Sequence, residues 1–166
     1  SLPGMLTAMI ARPPRFGGKV RSFDATAAKK VPGVVEVVEV PRGVAVVGEG
    51  FWAVKKGRDA LEIEWDDGGA ETRGTEELFA EYRDLLDRPG VTARDDGDVE
   101  GTFAGTAKTL SAVYEFPYLA HAPMEPMGVV VDRNEDGCDV WAGSQLQTVD
   151  QGVVARVLGL KAGDVR

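Results

Sequence analysis

Residues 115–160 read EFPYLAHAPMEPMGVVVDRNEDGCDVWAGSQLQTVDQGVVARVLGL, and this stretch carries most of the information about the fold. It opens as an irregular entry, because Pro117, Pro123 and Pro126 fix φ and offer no ladder donor. Two short strand signals follow, Val129-Val130-Val131 and a second centred on Val140-Trp141-Ala142. Asn134-Glu135-Asp136-Gly137 joins them as a hairpin, with glycine where a positive φ is tolerated. A polar turn, Gly143-Ser144-Gln145, comes next, and then a helix. Thr148 stands three residues before Gln151, a capping-box spacing that predicts Thr148 at the helix entry. Val149, Val153, Val154, Val157 and Leu158 share one helical face, and Gly159 is a C-terminal stop. This plan puts Ser144 and Gln145 on a loop between strand end and helix start, where polar groups can meet a ligand.

Upstream, the alternation of Leu110, Ala112 and Tyr114 with polar neighbours predicts a strand over Lys108 to Phe116. Residues 91–106 are rich in Gly, Asp and Thr and read as an extended connector. A helix occupies 75–88. Thr75 begins it, Glu76 and Glu77 favour its positive end, and Pro89-Gly90 ends it. Its stripe of Leu78, Phe79, Tyr82, Leu85 and Leu86 predicts a helix docked on the protein's own surface rather than a partner-binding motif.

The first third alternates strands and short helices. Strands are expected at Met5 to Ala11, Lys19 to Phe23, Val34 to Val40 (buried) and Gly43 to Gly48. Asp24 caps a short helix over Ala25 to Lys30. Trp52, Ala53, Gly57 and Ala60 have helical spacing, and Leu61, Ile63 and Trp65 alternate with glutamates as a half-buried strand. The class is α+β, a small sheet with helices on one side. Three segments are expected: 1–66, a connector at 67–107, and a second α+β unit that begins at 108.

Composition narrows the function. The chain has 166 residues, 43% hydrophobic and 28% charged, enough for one domain or two small ones. Its net charge of −8 is concentrated in 66–100, where twelve acids face four arginines. An acidic connector on a neutral body argues against nucleic acid and anionic membrane surfaces as partners. A lone cysteine, Cys138, excludes an internal disulfide and a cysteine-built metal site. No apolar run reaches membrane-spanning length. The chain starts almost directly on a strand, so its natural N-terminus is expected upstream, and cytoplasm and periplasm both stay open.

Most candidate chemistry is discounted. Gly48-Glu49-Gly50 lacks the third glycine and the Lys-Ser/Thr of phosphate loops and reads as a tight turn. Ser144 with His121 would suggest a hydrolase, but Gly143-Ser144-Gln145 is not a G-x-S-x-G elbow. His121 has no companion ligand and reads as structural. Met124 and Met127 could line a pocket or fill a core. Gln145, taken alone, reads as a helix-entry cap.

The runs PYLAHAPMEPMGVVV (117–131) and VWAGSQLQTVDQGVVARVLGL (140–160) resemble one known family. It is the large, molybdenum-binding subunit of the xanthine dehydrogenase and aldehyde oxidase class of molybdenum hydroxylases, in particular the isoquinoline 1-oxidoreductase beta branch. LPGMLTAMIARPP (2–14), VRSFDATAAKKVPGVVEVV (20–38) and ALEIEWDDG (60–68) resemble the a/b hammerhead domain of these subunits.

The resemblance implies a hammerhead-like domain at 1–66 and the start of a molybdopterin-binding domain at 108–166. It also implies a cofactor contact at Gln145, with Gln147 as the fallback, and a pocket-shaping role for Glu125. The implied cofactor is molybdopterin, in its cytosine dinucleotide form, held by the full-length subunit. The implied partners are the remainder of the polypeptide, a small iron–sulfur subunit and a small-molecule substrate. No catalytic residue and no metal ligand is expected in this chain, because the family's GGGFG-type loop and its general-base glutamate lie further downstream. The stretch by itself is therefore expected to be inactive and without cofactor. The rival reading is a stand-alone, non-catalytic binding module that shares the hammerhead architecture.

Overall fold

A computed structural model describes residues 2–166. It contains three small antiparallel sheets and four α-helices among these residues, an α+β protein as expected. The chain divides into two compact units, Ser1–Ala104 and Gly105–Arg166.

The first unit is built on a three-stranded sheet of order β1-β4-β3, with β1 at Thr7–Ala11, β3 at Val34–Val40 and β4 at Gly43–Gly48. β4 is central, and Val44, Ala45 and Val46 are buried in succession. A continuous apolar run suits a strand covered on both faces. A second pair, β2 (Lys19–Asp24) with β5 (Glu62–Asp66), sends Val20, Phe23 and Ile63 against the same core. Helix α1 (Phe51–Asp59) closes it by burying Val54 beside Val44, Val46, Val37 and Ala28. Each fully buried valine contributes roughly 1.5–3 kcal/mol. Gly57 sets how closely α1 approaches, since a Cβ there would lie 2.8 Å from Val34 and 2.9 Å from Val46.

Several expectations need correction here. β3 is an edge strand, not a buried one. It pairs only with β4, and Val35 and Val38 are exposed. Neighbouring valines, Val34-Val35 and Val37-Val38, point to opposite faces, so both members of a pair cannot reach a core on one side. The helix after Asp24 shrinks to a 3-10 turn at Ala28–Lys30, and the Asp24 carboxylate instead accepts the Thr26 N–H at 2.7 Å. Hydrogen bonds with Thr26 hold that carboxyl below its usual range. In α1 the buried positions are Val54 and Gly57, whereas Trp52 is 68% exposed.

Helix α2 spans Thr75–Leu86, with the Gly74 N–H satisfied by Glu77 at 2.7 Å. No residue of it is fully buried; of its apolar stripe Leu78 and Phe79 are half-buried, while Tyr82, Leu85 and Leu86 are exposed. A second helix, α3 (Val99–Gly105), replaces part of the predicted extended connector. Asp98 explains it, because its side chain accepts the Gly101 N–H at 2.8 Å and nucleates the turn.

The second unit holds a hairpin of β6 (Val129–Asn134) and β7 (Gly137–Ala142), and helix α4 (Gln147–Leu158). The register pairs Asn134 with Gly137, and Asn134 Oδ1 accepts the Asp136 N–H at 3.0 Å, so the hairpin signal is realised. Gly137 has φ +150°, and a Cβ there would meet the Asp164 carbonyl oxygen at 2.1 Å. Val165 bridges in parallel to Cys138 on the free side of β7. Cys138, Ala155 and Val165 form the core, flanked by Val140, Val154, Leu158 and Leu160.

Two further expectations fail in this unit. Lys108 to Phe116 is not a strand, and residues 106–128 carry no helix or strand at all. A strand needs a neighbouring strand for its N–H and C=O groups, and among the described residues no strand pairs with this run. The helix entry also differs, because Leu146 is the N-cap residue and Thr148 lies inside α4. The Leu146 carbonyl accepts the N–H groups of Val149 and Asp150 at 2.9 and 3.0 Å, so no capping box forms at Thr148. The buried face of α4 runs through Val154, Ala155 and Leu158, while Val149, Val153 and Val157 are exposed. Gly159 does end the helix, at φ +68° in the left-handed region.

Candidate functional site

The strongest polar convergence lies where β7 hands over to α4. Ser144 is half-buried at this corner, and its hydroxyl donates a short hydrogen bond to Asp150 Oδ2. The same Oγ accepts the Leu146 backbone N–H at 3.2 Å. The Ser144 carbonyl accepts Gln147 Nε2 at 3.0 Å. Ser144, three residues before the start of α4, thus holds the entry to the helix through Leu146, Gln147 and Asp150. Deeper along the helix, Gln151 Nε2 donates to the Val165 carbonyl at 2.7 Å, which fastens α4 to the chain beside β7.

These groups line a cavity of about 290 Å3 between α4 and β7. Its polar rim is Ser144, Gln147, Asp150 and Gln151, and its apolar floor includes Val140, Val154 and Val165. Arg166 stands at one end, paired with Asp139 through Nε–Oδ1 at 2.9 Å and Nη2–Oδ2 at 3.2 Å. That two-point hydrogen bonding raises the Arg166 pKa above its ordinary value.

The predicted site residues are distributed unevenly around this corner. Gln145 lies on the loop itself, exposed, and its side chain makes no hydrogen bond among the described residues. Gln147 is the first residue of α4 and lines the cavity, but its amide nitrogen is already committed to Ser144. Glu125 and His121 sit in the exposed irregular run and do not line the cavity. No hydrogen bond joins Ser144 to His121, so the geometry offers no serine–histidine pair. Reading the sequence alone did not single out Asp150, Gln151 or Arg166. Only a polar residue six positions after Ser144, on the helix's first turn, hinted at the first of them.

Residues 86–166 match the family model described as "Molybdopterin cofactor-binding domain". Over 169 aligned residues the chain is 32% identical to isoquinoline 1-oxidoreductase subunit beta of Brevundimonas diminuta, covering 96% of this chain and 22% of that protein. These matches support a partial molybdopterin-binding subunit of the molybdenum hydroxylase kind. The chain is also 28% identical to the protein named membrane-bound aldehyde dehydrogenase (pyrroloquinoline-quinone) of Gluconacetobacter polyoxogenes, over 93% of this chain and 21% of that protein. Quinoline 2-oxidoreductase from Pseudomonas putida 86 shares the fold, with a TM-score of 0.70 at 19% identity, across 99% of this chain and 26% of that one. The chain thus spans about a fifth of the length of the curated relatives it matches.

The corner fits one edge of a molybdopterin site. It offers an uncharged, unpartnered amide on a braced loop, inside the segment that matches the cofactor-binding family. Among the described residues no three His, Cys, Asp or Glu side chains gather as a metal-holding group. No helix among them is long and apolar enough to cross a membrane.

Proposed function

We propose that this chain is part of the molybdenum-binding subunit of an oxidoreductase that hydroxylates an N-heterocycle or an aldehyde with water-derived oxygen. Its electrons pass to a partner iron–sulfur subunit. Molybdopterin, in the cytosine dinucleotide form, supplies the two-electron chemistry when bound to the full-length subunit. The residues of this chain supply positioning. Gln145 contacts the cofactor's metal end through its side-chain amide, which offers both a donor and an acceptor without adding charge. The observation that carries this reading is the free amide of Gln145, set between tied-down neighbours within residues 86–166. It favours Gln145 over Gln147, whose nitrogen already serves Ser144. Glu125 shapes the pocket wall in the same subunit. Residues 1–66 form a hammerhead-type domain and 108–166 open the cofactor-binding domain, joined by 67–107. The isolated chain holds no cofactor and does not turn over, since it offers only one edge of the site.

The test uses the full-length subunit with its iron–sulfur partner. Gln145→Ala is expected to lower turnover of isoquinoline-type or aldehyde substrates about 10- to 100-fold, with molybdenum still bound. A purified subunit that carries a quinone and no molybdenum would overturn the proposal.

A further inference from the structure

The hydrogen bonds at Ser144 do more than start a helix. A serine hydroxyl has one proton to give and two lone pairs. Here the proton goes to Asp150, a lone pair takes the Leu146 N–H, and the Ser144 carbonyl takes Gln147 Nε2. All three partners lie beyond Gln145 in the chain, so Ser144 closes three short loops around that one residue. The bond to Asp150 is charge-assisted, the strongest of the three in kind. Asp150 sits on α4, which is anchored by buried Ala155 and by the Gln151–Val165 hydrogen bond. The loop is therefore braced against a packed element rather than against another loop. Gln145 alone is left out of the network, exposed and without a hydrogen bond among the described residues.

We infer that Ser144 and Asp150 are positioning residues, a clamp that aims the Gln145 amide at the cofactor. The inference rests on the role of Gln145 proposed above. A contact through a single amide works only within about 0.5 Å and 10–20° of its productive geometry, so the backbone on both sides must be held. Neither residue touches the reacting atoms. The clamp acts through Gln145, and this makes it separable from a general stabilising role.

The experiment takes the molybdenum-loaded full-length enzyme and compares Ser144→Ala and Asp150→Ala with Ser144→Thr and Asp150→Asn. Each alanine change is expected to lower kcat about 10-fold, with KM within about twofold and molybdenum content retained. The conservative pair keeps a hydroxyl and an acceptor, and kcat stays within about threefold of the parent. Combining either alanine change with Gln145→Ala adds nothing to Gln145→Ala alone, because residues that work through one group are not additive. In the 166-residue chain, Ser144→Ala speeds amide exchange at Leu146 about 10-fold, and Ser144→Thr does not. Losses that multiply in the double variants, or a slow Gln145→Ala beside a full-speed Ser144→Ala, overturn the clamp alone. A full-speed Gln145→Ala with molybdenum in place overturns the reading beneath it as well.

Discussion

The β1-β4-β3 sheet and the run 106–128 both carry many large apolar side chains, and they meet opposite fates. In the sheet, Val44 and Val46 are fully buried, as is Val54 of α1 that packs on them. In the run, Leu110, Tyr114, Phe116 and Leu119 are between 78% and 90% exposed, and no hydrogen-bonded partner strand lies among the described residues. What separates them is whether the partner surface lies within the same short piece of chain. β4 finds β3 across a two-residue turn, and α1 follows directly to cover it. The apolar positions of 106–128 find no such strand or covering helix among the described residues.

The sharpest way to test this contrast is to damage each packed region where it is tightest. Gly137→Ala puts a Cβ against the Asp164 carbonyl at a φ that disfavours it, and should cost about 3 kcal/mol, read as lost exchange protection in β6 and β7. Val46→Ala should cost somewhat less, about 2 kcal/mol, read on the amides of β3 and β4. Leu119→Ser tests the other side of the contrast. Its side chain is 82% exposed, so the unfolding free energy of the 166-residue chain, read by urea titration, should change by less than about 0.5 kcal/mol. A larger loss would mean that 106–128 is packed after all.

The smallest effect is electrostatic. Hydrogen bonds from Arg73 pull the Glu71 carboxyl down from 4.5 to about 2, while Arg73 also reaches Glu81 on α2. A carboxyl whose folded pKa is lowered stabilises the fold above its unfolded value and loses that contribution as pH falls. The window here runs from about 4.5 down to about 2. Glu71→Gln should lower the urea midpoint slightly at neutral pH, where the contribution is fully present, and flatten its pH dependence across that window. The pair is exposed to solvent, so the change is small.

Local chemistry made part of this protein legible. The Asn134–Gly137 hairpin, the Gly159 stop, the start of α2 at Thr75 and the half-buried alternation of Leu61, Ile63 and Trp65 are all written in neighbouring residues. The loop position of Ser144 and Gln145 was legible for the same reason, since a strand end and a helix start are both local signals. The misses share a cause too. Lys108 to Phe116 has strand periodicity, yet pairing is a property of two segments, and the pattern states only one side of it. The five apolar residues of α4 share a face on paper, but the sheet it packs on chose Val154, Ala155 and Leu158. At the site, the Thr148–Gln151 spacing suggested a capping box, while Ser144 satisfies the turn from outside the helix.

The residues themselves determined the class of the fold, the resemblance to molybdopterin-binding subunits and the loop position of Ser144 and Gln145, because those follow from short-range periodicity, turn chemistry and long matching motifs. Tertiary structure alone decided which glutamine keeps a free amide. Ser144, Gln147 and Asp150 are drawn together by the angle at which β7 delivers the chain to α4. That angle is set by packing around Cys138, Ala155 and Val165, contacts that no local pattern encodes.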